Sequence, residues 1–285
     1  NLFQQVLQEF GDTVPVAEFA EKIHSQLLPL SSIESVSRGI ESRWEQISRG
    51  KIPIFTSRYE NVSLPEESQG NVANYFERIY KSPIKTSAGE IHFAGDSIPD
   101  YFAHTRVEDM ASKKATEIGI PGKLAKIGDT RRIIELQSDL FQRGRLEAEI
   151  EPIKVRIQEL EKIIAKTKYQ PQKQTAQKEL RRLQRQLPIT ERGIVSLQIY
   201  RNTWHERIIR EEIKQAAKDG IKTLRFPTGE TAMIAFDVSG KMDTSNPIYK
   251  FYENEVQKFL KRIRPDFKRI TDEKGVTWFE TKITN

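Results

Sequence analysis

Two stretches decide the fold: Phe102 to Glu108 (FAHTRVE) and Ile133 to Leu140 (IIELQSDL). In each, every second side chain is polar: His104, Arg106 and Glu108 in the first, Glu135, Gln137 and Asp139 in the second. Between them Ala103, Thr105 and Val107, then Ile134, Leu136 and Ser138, form the opposite face. Alternation with period two predicts strands with two unlike faces. Paired as neighbours, the two strands would gather six ionisable or hydrogen-bonding groups on one surface of a sheet. That surface is either the solvated side of an antiparallel sheet or a site. A solvated strand face usually carries Lys, Thr and Glu, whereas His, Arg, Glu, Gln and Asp together resemble a catalytic or ligand-binding set.

The chain has 285 residues, enough to bury a sizeable core in one large domain or one domain with appendages. No apolar run approaches the length of a membrane span and no signal-peptide pattern opens the sequence, so a soluble protein without membrane contact is expected. The absence of cysteine excludes a disulfide framework, thiolate metal sites and a cysteine nucleophile. A net charge of +6 permits, without requiring, an anionic cofactor or nucleic acid as partner. The chain starts at Asn1 and stops at Asn285 in mid-pattern, which suggests a segment of something longer.

Residues 1–50 read as a helical cap. Val16, Phe19, Ile23 and Leu27 recur at helical spacing, and after a Ser31-Ser32 cap Ile33, Val36, Ile40, Trp44 and Ile47 repeat it. Residues 51–145 turn to β character, with short strands expected at Tyr59 to Leu64, Asn74 to Tyr80 and Glu90 to Ala94. A Lys- and Gly-containing connection with a turn at Pro121-Gly122 follows the first polar-faced strand. From Leu146 a heptad seam runs through Ile150, Ile153, Ile157, Leu160 and Ile164, and then through Ala176, Leu180, Leu183 and Leu187 up to a stop at Pro188. It predicts an antiparallel coiled-coil hairpin inserted at 146–200, with Lys178, Arg181, Arg182 and Arg185 outside. The basic hairpin, 146–187, is either a protein or nucleic-acid contact or a solvated charged face.

Residues 201–285 complete the core. Thr203 to Glu206 has capping-box spacing, and its helix stops at Gly220. Ile221 to Phe226 is a strand with a turn at Pro227-Thr228-Gly229. Asn246-Pro247 opens a helix, and Phe267 to Thr271 with Val276 to Ile283 close the chain as a hairpin. The class is α+β with a mostly antiparallel sheet.

This series, with IIELQSDLFQRGR after the central strand and YKFYE in the late helix, is similar to the GNAT acetyltransferase superfamily. In that family a Q/R-x-x-G-x-G/A loop offers backbone amides to the pyrophosphate of coenzyme A. The resemblance places Gln142, Arg143, Gly144 and Arg145 in that role and implies acetyl-coenzyme A as cofactor, although the second glycine is absent and the hairpin intervenes before the next long helix. The ordered blocks VSLPEE, NYFERIY, YFAHTRVED, IIELQSDLFQRGR, W-HE, PTGE and FYENEVQKFLKRI also resemble an uncharacterised domain of the large polyvalent proteins of tailed phages and mobile elements. That likeness implies a cytoplasmic or virion-associated protein, joined to a larger polypeptide or virion.

For an acyltransferase a carboxylate must act as general base toward the acceptor amine. Glu135 is the first candidate and His104 the second. Arg106 anchors an anionic group or orients Glu135, while Glu108, Gln137, Asp139 and Thr228 are candidate substrate contacts. Tyr252 is the candidate general acid. Structural readings stand beside these: Arg106–Glu135 as a cross-strand ion pair, His104 and Tyr252 as core residues. Two other functions stand beside it: a metal-dependent nuclease or hydrolase that uses the same face, with His104, Glu135 and Asp139 as ligands, and a non-catalytic virion module that binds DNA or protein through the basic hairpin on a degenerate GNAT-like scaffold.

Overall fold

The computed structural model describes residues 27–35, 57–60, 63–89, 98–142, 144–236 and 242–283. The strands are β1 (Ser31–Glu34), β2 (Val72–Lys81), β3 (Tyr101–Ala111), β4 (Ile127–Gln137), β5 (Thr223–Pro227), β6 (Lys268–Thr271) and β7 (Thr277–Lys282). They form one seven-stranded sheet in the order β1-β2-β3-β4-β5-β7-β6. Every neighbouring pair is antiparallel except β4–β5. The class is therefore α+β with a mostly antiparallel, mixed sheet.

Helices α1 (Glu66–Gln69) and α2 (Lys113–Glu117) are short; α3 (Arg145–Ala148), α4 (Glu151–Lys166), α5 (Gln170–Gln198) and α6 (Trp204–Lys218) lie between β4 and β5. Helix α7 (Gly229–Ala235) follows β5. Helix α8 runs through Pro247–Lys250, a π-helical Phe251–Val256 and Gln257–Ile263. One large core joins the sheet to α6 and α8 through Val107, Ile133, Leu136, Ile208, Ile209 and Phe259.

Several local expectations hold for physical reasons that are visible. Gly220 takes φ 74°. Its N–H donates to Ala217 C=O, and that of Ile221 to Ala216 C=O, a Schellman end that a residue with a Cβ would strain. Asn246 caps α8 by accepting from Ile248 N–H at 2.8 Å. The closing hairpin β6–β7 is held at its turn by Asp272, which accepts from the Lys274 and Val276 amides and from the Trp278 indole.

Four expectations are corrected. Ser31-Ser32 does not cap a helix; it opens β1, which pairs with the edge of β2. Among the described residues of 59–64 there is no strand, because the Tyr59 amide donates to the Glu77 carboxylate rather than to a neighbouring strand. Thr203 and Glu206 make no capping box. The Thr203 hydroxyl donates to Ile199 C=O and Glu206 pairs with Arg262, and the Thr203 amide that Glu206 would have reached already donates to Tyr200 C=O in the turn that enters α6. Pro188 does not end its helix: α5 continues to Gln198, with Ile194 and Leu197 buried in the main core. Gly193 permits that crossing, since a Cβ there would sit 2.9 Å from Ile84. The helical repeats of Val16 to Ile23 and Val36 to Ile47, and the strand at Glu90 to Ala94, fall outside the described residues.

Helices α4 and α5 pack on each other across Leu160, Ala176 and Leu183, with Ile153, Ile157, Ile164 and Leu180 around them, in a cluster separate from the main core. No described helix is long and apolar enough to cross a membrane.

Candidate functional site

Strands β3 and β4 are neighbours, with His104 opposite Gln137, Arg106 opposite Glu135 and Glu108 opposite Arg132. A bulge after Arg106 breaks the alternation. It turns Ile134 into the cluster of Leu64, Ala235, Val276 and Trp278, whereas Ile133 and Leu136 join the main core. Strand β2 adds Tyr75 opposite Glu108 and Glu77 opposite Arg106.

This face is not solvated. His104 is 1% exposed, Arg106 3% and Glu135 5%, and Glu108 and Asp139 are equally buried. Residues 57–60 and 63–64 lie over part of it: Arg58 and Tyr59 amides donate to Glu77 Oε1 at 2.8 and 2.7 Å, and the Ser63 hydroxyl donates to Glu108 at 2.5 Å.

The face divides into three parts. At one end Glu108 accepts from Ser63 and pairs with Arg132, whose guanidinium also lies 5.2 Å from the centre of the Trp278 ring. Both Glu108 oxygens are thus engaged in holding the fold. In the middle Arg106 Nε stands 3.1 Å from a Glu135 oxygen, and Glu77 flanks Arg106 from the other strand. Glu77 Oε1 takes the two amides and the Tyr75 hydroxyl; its fully buried Oε2 has no hydrogen-bond partner among the described residues. Burial pushes the Glu77 carboxyl above its ordinary range, against the Tyr59 and Arg58 amides that pull it down. At the far end His104 Nδ1 is 2.8 Å from the Tyr101 hydroxyl, and Asp139 accepts from Gln137 and Gln142 side chains.

Tyr59 belongs to the middle of the site. Its amide donates to Glu77, and burial, then Glu77 and Glu135, raise its phenol above the usual range. Glu77 and Glu135 thus stand opposite Arg106 from its two neighbouring strands. Glu77 and Tyr59 were not legible as site residues: Glu77 sits in a strand read only for its apolar pattern, and Tyr59 in a run without a period.

Tyr252 is fully buried on the π-helical turn of α8, and its hydroxyl accepts from Leu136 N–H at 3.0 Å. Burial raises its phenol well beyond the ordinary range, so it keeps its proton. Thr228 caps α7 by accepting from Thr231 N–H and also bonds Thr277, so its hydroxyl is engaged. In the Gln142 turn, the Gln142 amide donates to Asp139 C=O and the Arg145 amide to Gln142 C=O. Gly144, at φ 79°, caps a helix of only four residues, and Arg143 lies outside the described residues. Two amides that a pyrophosphate cradle would use point into the turn itself, so this loop does not fit that role.

The metal reading fares no better. Among the described residues no three His, Asp or Glu side chains are grouped to hold an ion. What the arrangement can do is accept a cation, and a proton, at buried carboxylates. No protein-family model matches this chain, and comparison with curated proteins and with solved structures finds no significant match.

Proposed function

We propose that this chain is a GNAT-like, acyl-coenzyme A-dependent N-acyltransferase domain of a phage or mobile-element polyvalent protein, with the α4–α5 pair as an inserted coiled-coil hairpin. The observation that carries the reading is the parting of β4 and β5. They are paired only at Thr130–Thr223, Arg131–Leu224 and Arg132–Arg225, after which β4 runs on to Gln137 paired with β3 but no longer with β5. Parted strands leave backbone donors and acceptors that need partners, and Tyr252 supplies one to Leu136. The same gap suits an extended ligand with amide groups of its own.

The acyl donor supplies the activated acyl group. The chain's residues do the rest. Glu77 and Glu135, on either side of Arg106, favour an ammonium over a neutral group, and Arg106 holds Glu135 in place. Glu77, whose proton affinity burial raises, takes the proton from the acceptor nitrogen. Tyr252 accepts from Leu136 through a lone pair and so retains its own O–H, which would be the donor toward a leaving thiolate if a thioester were bound in the gap. The engaged amides of the Gln142 turn favour one alternative, a non-catalytic binding module on the same scaffold.

Calorimetric titration of the full chain with acetyl-coenzyme A, followed by an amine panel, tests this. Micromolar binding, with acyl transfer lost in Glu77→Gln and Glu135→Gln while binding remains, is expected. No heat with acetyl-coenzyme A would end the acyltransferase reading; heat without transfer to any amine would leave the binding module.

A further inference from the structure

The chain's charge is not spread over its surface. Between Lys162 and Arg185 there are eight Lys and Arg residues and one acidic residue, Glu179, a surplus of seven positive charges where the whole chain has a net +6. Glu179 is already held by Arg156 across the hairpin at 3.0 Å. None of the eight cations makes an ion pair among the described residues, although ion pairs are common on the rest of the surface.

Geometry groups four of them. Helix α5 turns Ala176, Leu180 and Leu183 toward α4, and at 100° per residue Lys178, Arg181, Arg182 and Arg185 fall on the opposite side, where all four are exposed. They cover about 10 Å of helix, a stretch along which a nucleic-acid duplex carries about six phosphates. Lys168 lies at the tip between the two helices, beside Tyr169, and both are exposed, Tyr169 to 67%.

The chemistry selects among anionic partners. A membrane surface requires an apolar face, and the hairpin's apolar side chains form its own seam. A protein interface requires an apolar centre, yet Tyr169 is the one strongly exposed large hydrophobic residue among the described residues of 162–185; Ile189, Val195 and Ile199 lie beyond the stripe. Arginine in three of the four central positions suits phosphate oxygens. We propose that the outer half of the hairpin, residues 162–185, docks on a nucleic-acid backbone, with Lys178, Arg181, Arg182 and Arg185 on phosphates and Tyr169 against a base or sugar. The proposal does not depend on acyl transfer.

The full chain is titrated against a fluorescein-labelled DNA duplex of about 20 base pairs, by anisotropy, over a series of salt concentrations from about 50 mM upward. Binding at low salt that weakens steeply with salt is expected. The triple variant Arg181→Gln, Arg182→Gln, Arg185→Gln should bind at least about tenfold more weakly at low salt, with a log–log salt slope shallower by two to three, roughly one per lost phosphate contact. The variant Lys258→Gln, Lys261→Gln, with cations exposed on α8, should bind like the parent. All replaced side chains are exposed, and unchanged circular dichroism and melting confirm the fold. The proposal is overturned by no binding at low salt, by an unchanged slope in the triple variant, or by equal loss in the α8 variant. Displacement of the duplex by poly-glutamate at equal charge would also overturn it, in favour of an acidic protein.

Discussion

Arg106 and Glu135 face each other across β3 and β4, 3.1 Å apart, with side chains 3% and 6% exposed. A charge left alone at that depth is expensive, so Arg106→Ala should cost about 3–5 kcal/mol of stability. The double variant Arg106→Met, Glu135→Leu should cost less than the two single losses added, because neither member of the pair is left facing an empty partner position. Urea unfolding of the four proteins measures both. A loss below about 1 kcal/mol for Arg106→Ala would mean a solvated pair.

Glu77 makes stability depend on pH in a defined direction. Its carboxyl has an ordinary value of 4.5 and is raised in the folded state, chiefly by burial. The folded protein therefore holds this proton more tightly than the unfolded chain does. Its contribution is fully present below 4.5 and is lost as pH rises through the raised folded value. Glu77→Gln should remove that limb, leaving stability flatter between mildly acidic and neutral pH than in the parent. Parallel pH series of thermal melts would show identical limbs if Glu77 does not titrate in this way.

His205 acts in the opposite sense. Burial lowers its pKa below 6.5, despite Glu206 and Glu255 nearby, and its ring is packed edge-on against Trp204 and Phe251. The unfolded chain then binds this proton more tightly, so stability is present above 6.5 and lost as pH falls through the folded value. His205→Phe should abolish this acid-side loss. Retention of the loss in the variant would assign it to another group.

The strands were legible where alternation was strict: His104, Arg106 and Glu108 do line one face, opposite β4. The bulge was not, because a bulge is set by how two strands pair and leaves no mark in either alone. Nor was the burial of that face, which depends on residues 57–60 and 63–64, distant in sequence and without a period of their own. Capping spacing at Thr203 was present in the residues, but the preceding turn already satisfied the Thr203 amide that Glu206 would have reached. Proline at 188 is a strong local stop that the burial of Ile194 and Leu197 outweighs.

The opposite face of the sheet holds a second buried charge cluster that no pattern announced. Glu212 of α6 accepts from the Tyr80 and Thr105 hydroxyls at 2.8 and 2.5 Å and pairs with Arg78, which also reaches Glu34. Arg78 and Glu212 are both fully buried. Glu212→Ala should cost about 3–5 kcal/mol, since it strands Arg78 and two hydroxyls. Glu212→Gln keeps the shape and part of the bonding and should cost less. Equal losses in urea unfolding would mean that volume, not charge, holds α6 on the sheet.

Pro188 stands between two packed regions of α5. On one side Ala176 and Leu183 join the hairpin seam; on the other Ile194 and Leu197 enter the main core. Proline has no N–H, so the Gln184 carbonyl one turn earlier loses its helical partner, and the ring crowds that carbonyl. Such an interior proline costs a helix about 3 kcal/mol, and here the buried anchors on both sides oppose it. Pro188→Ala should therefore stabilise the protein by about 1–3 kcal/mol, while Pro188→Gly, which restores the donor but adds backbone freedom, should gain about 1 kcal/mol less. Urea unfolding ranks the three proteins. An alanine variant no more stable than the parent would show that α5 already relieves the defect by bending at Pro188, and that the join between hairpin and core is a built hinge.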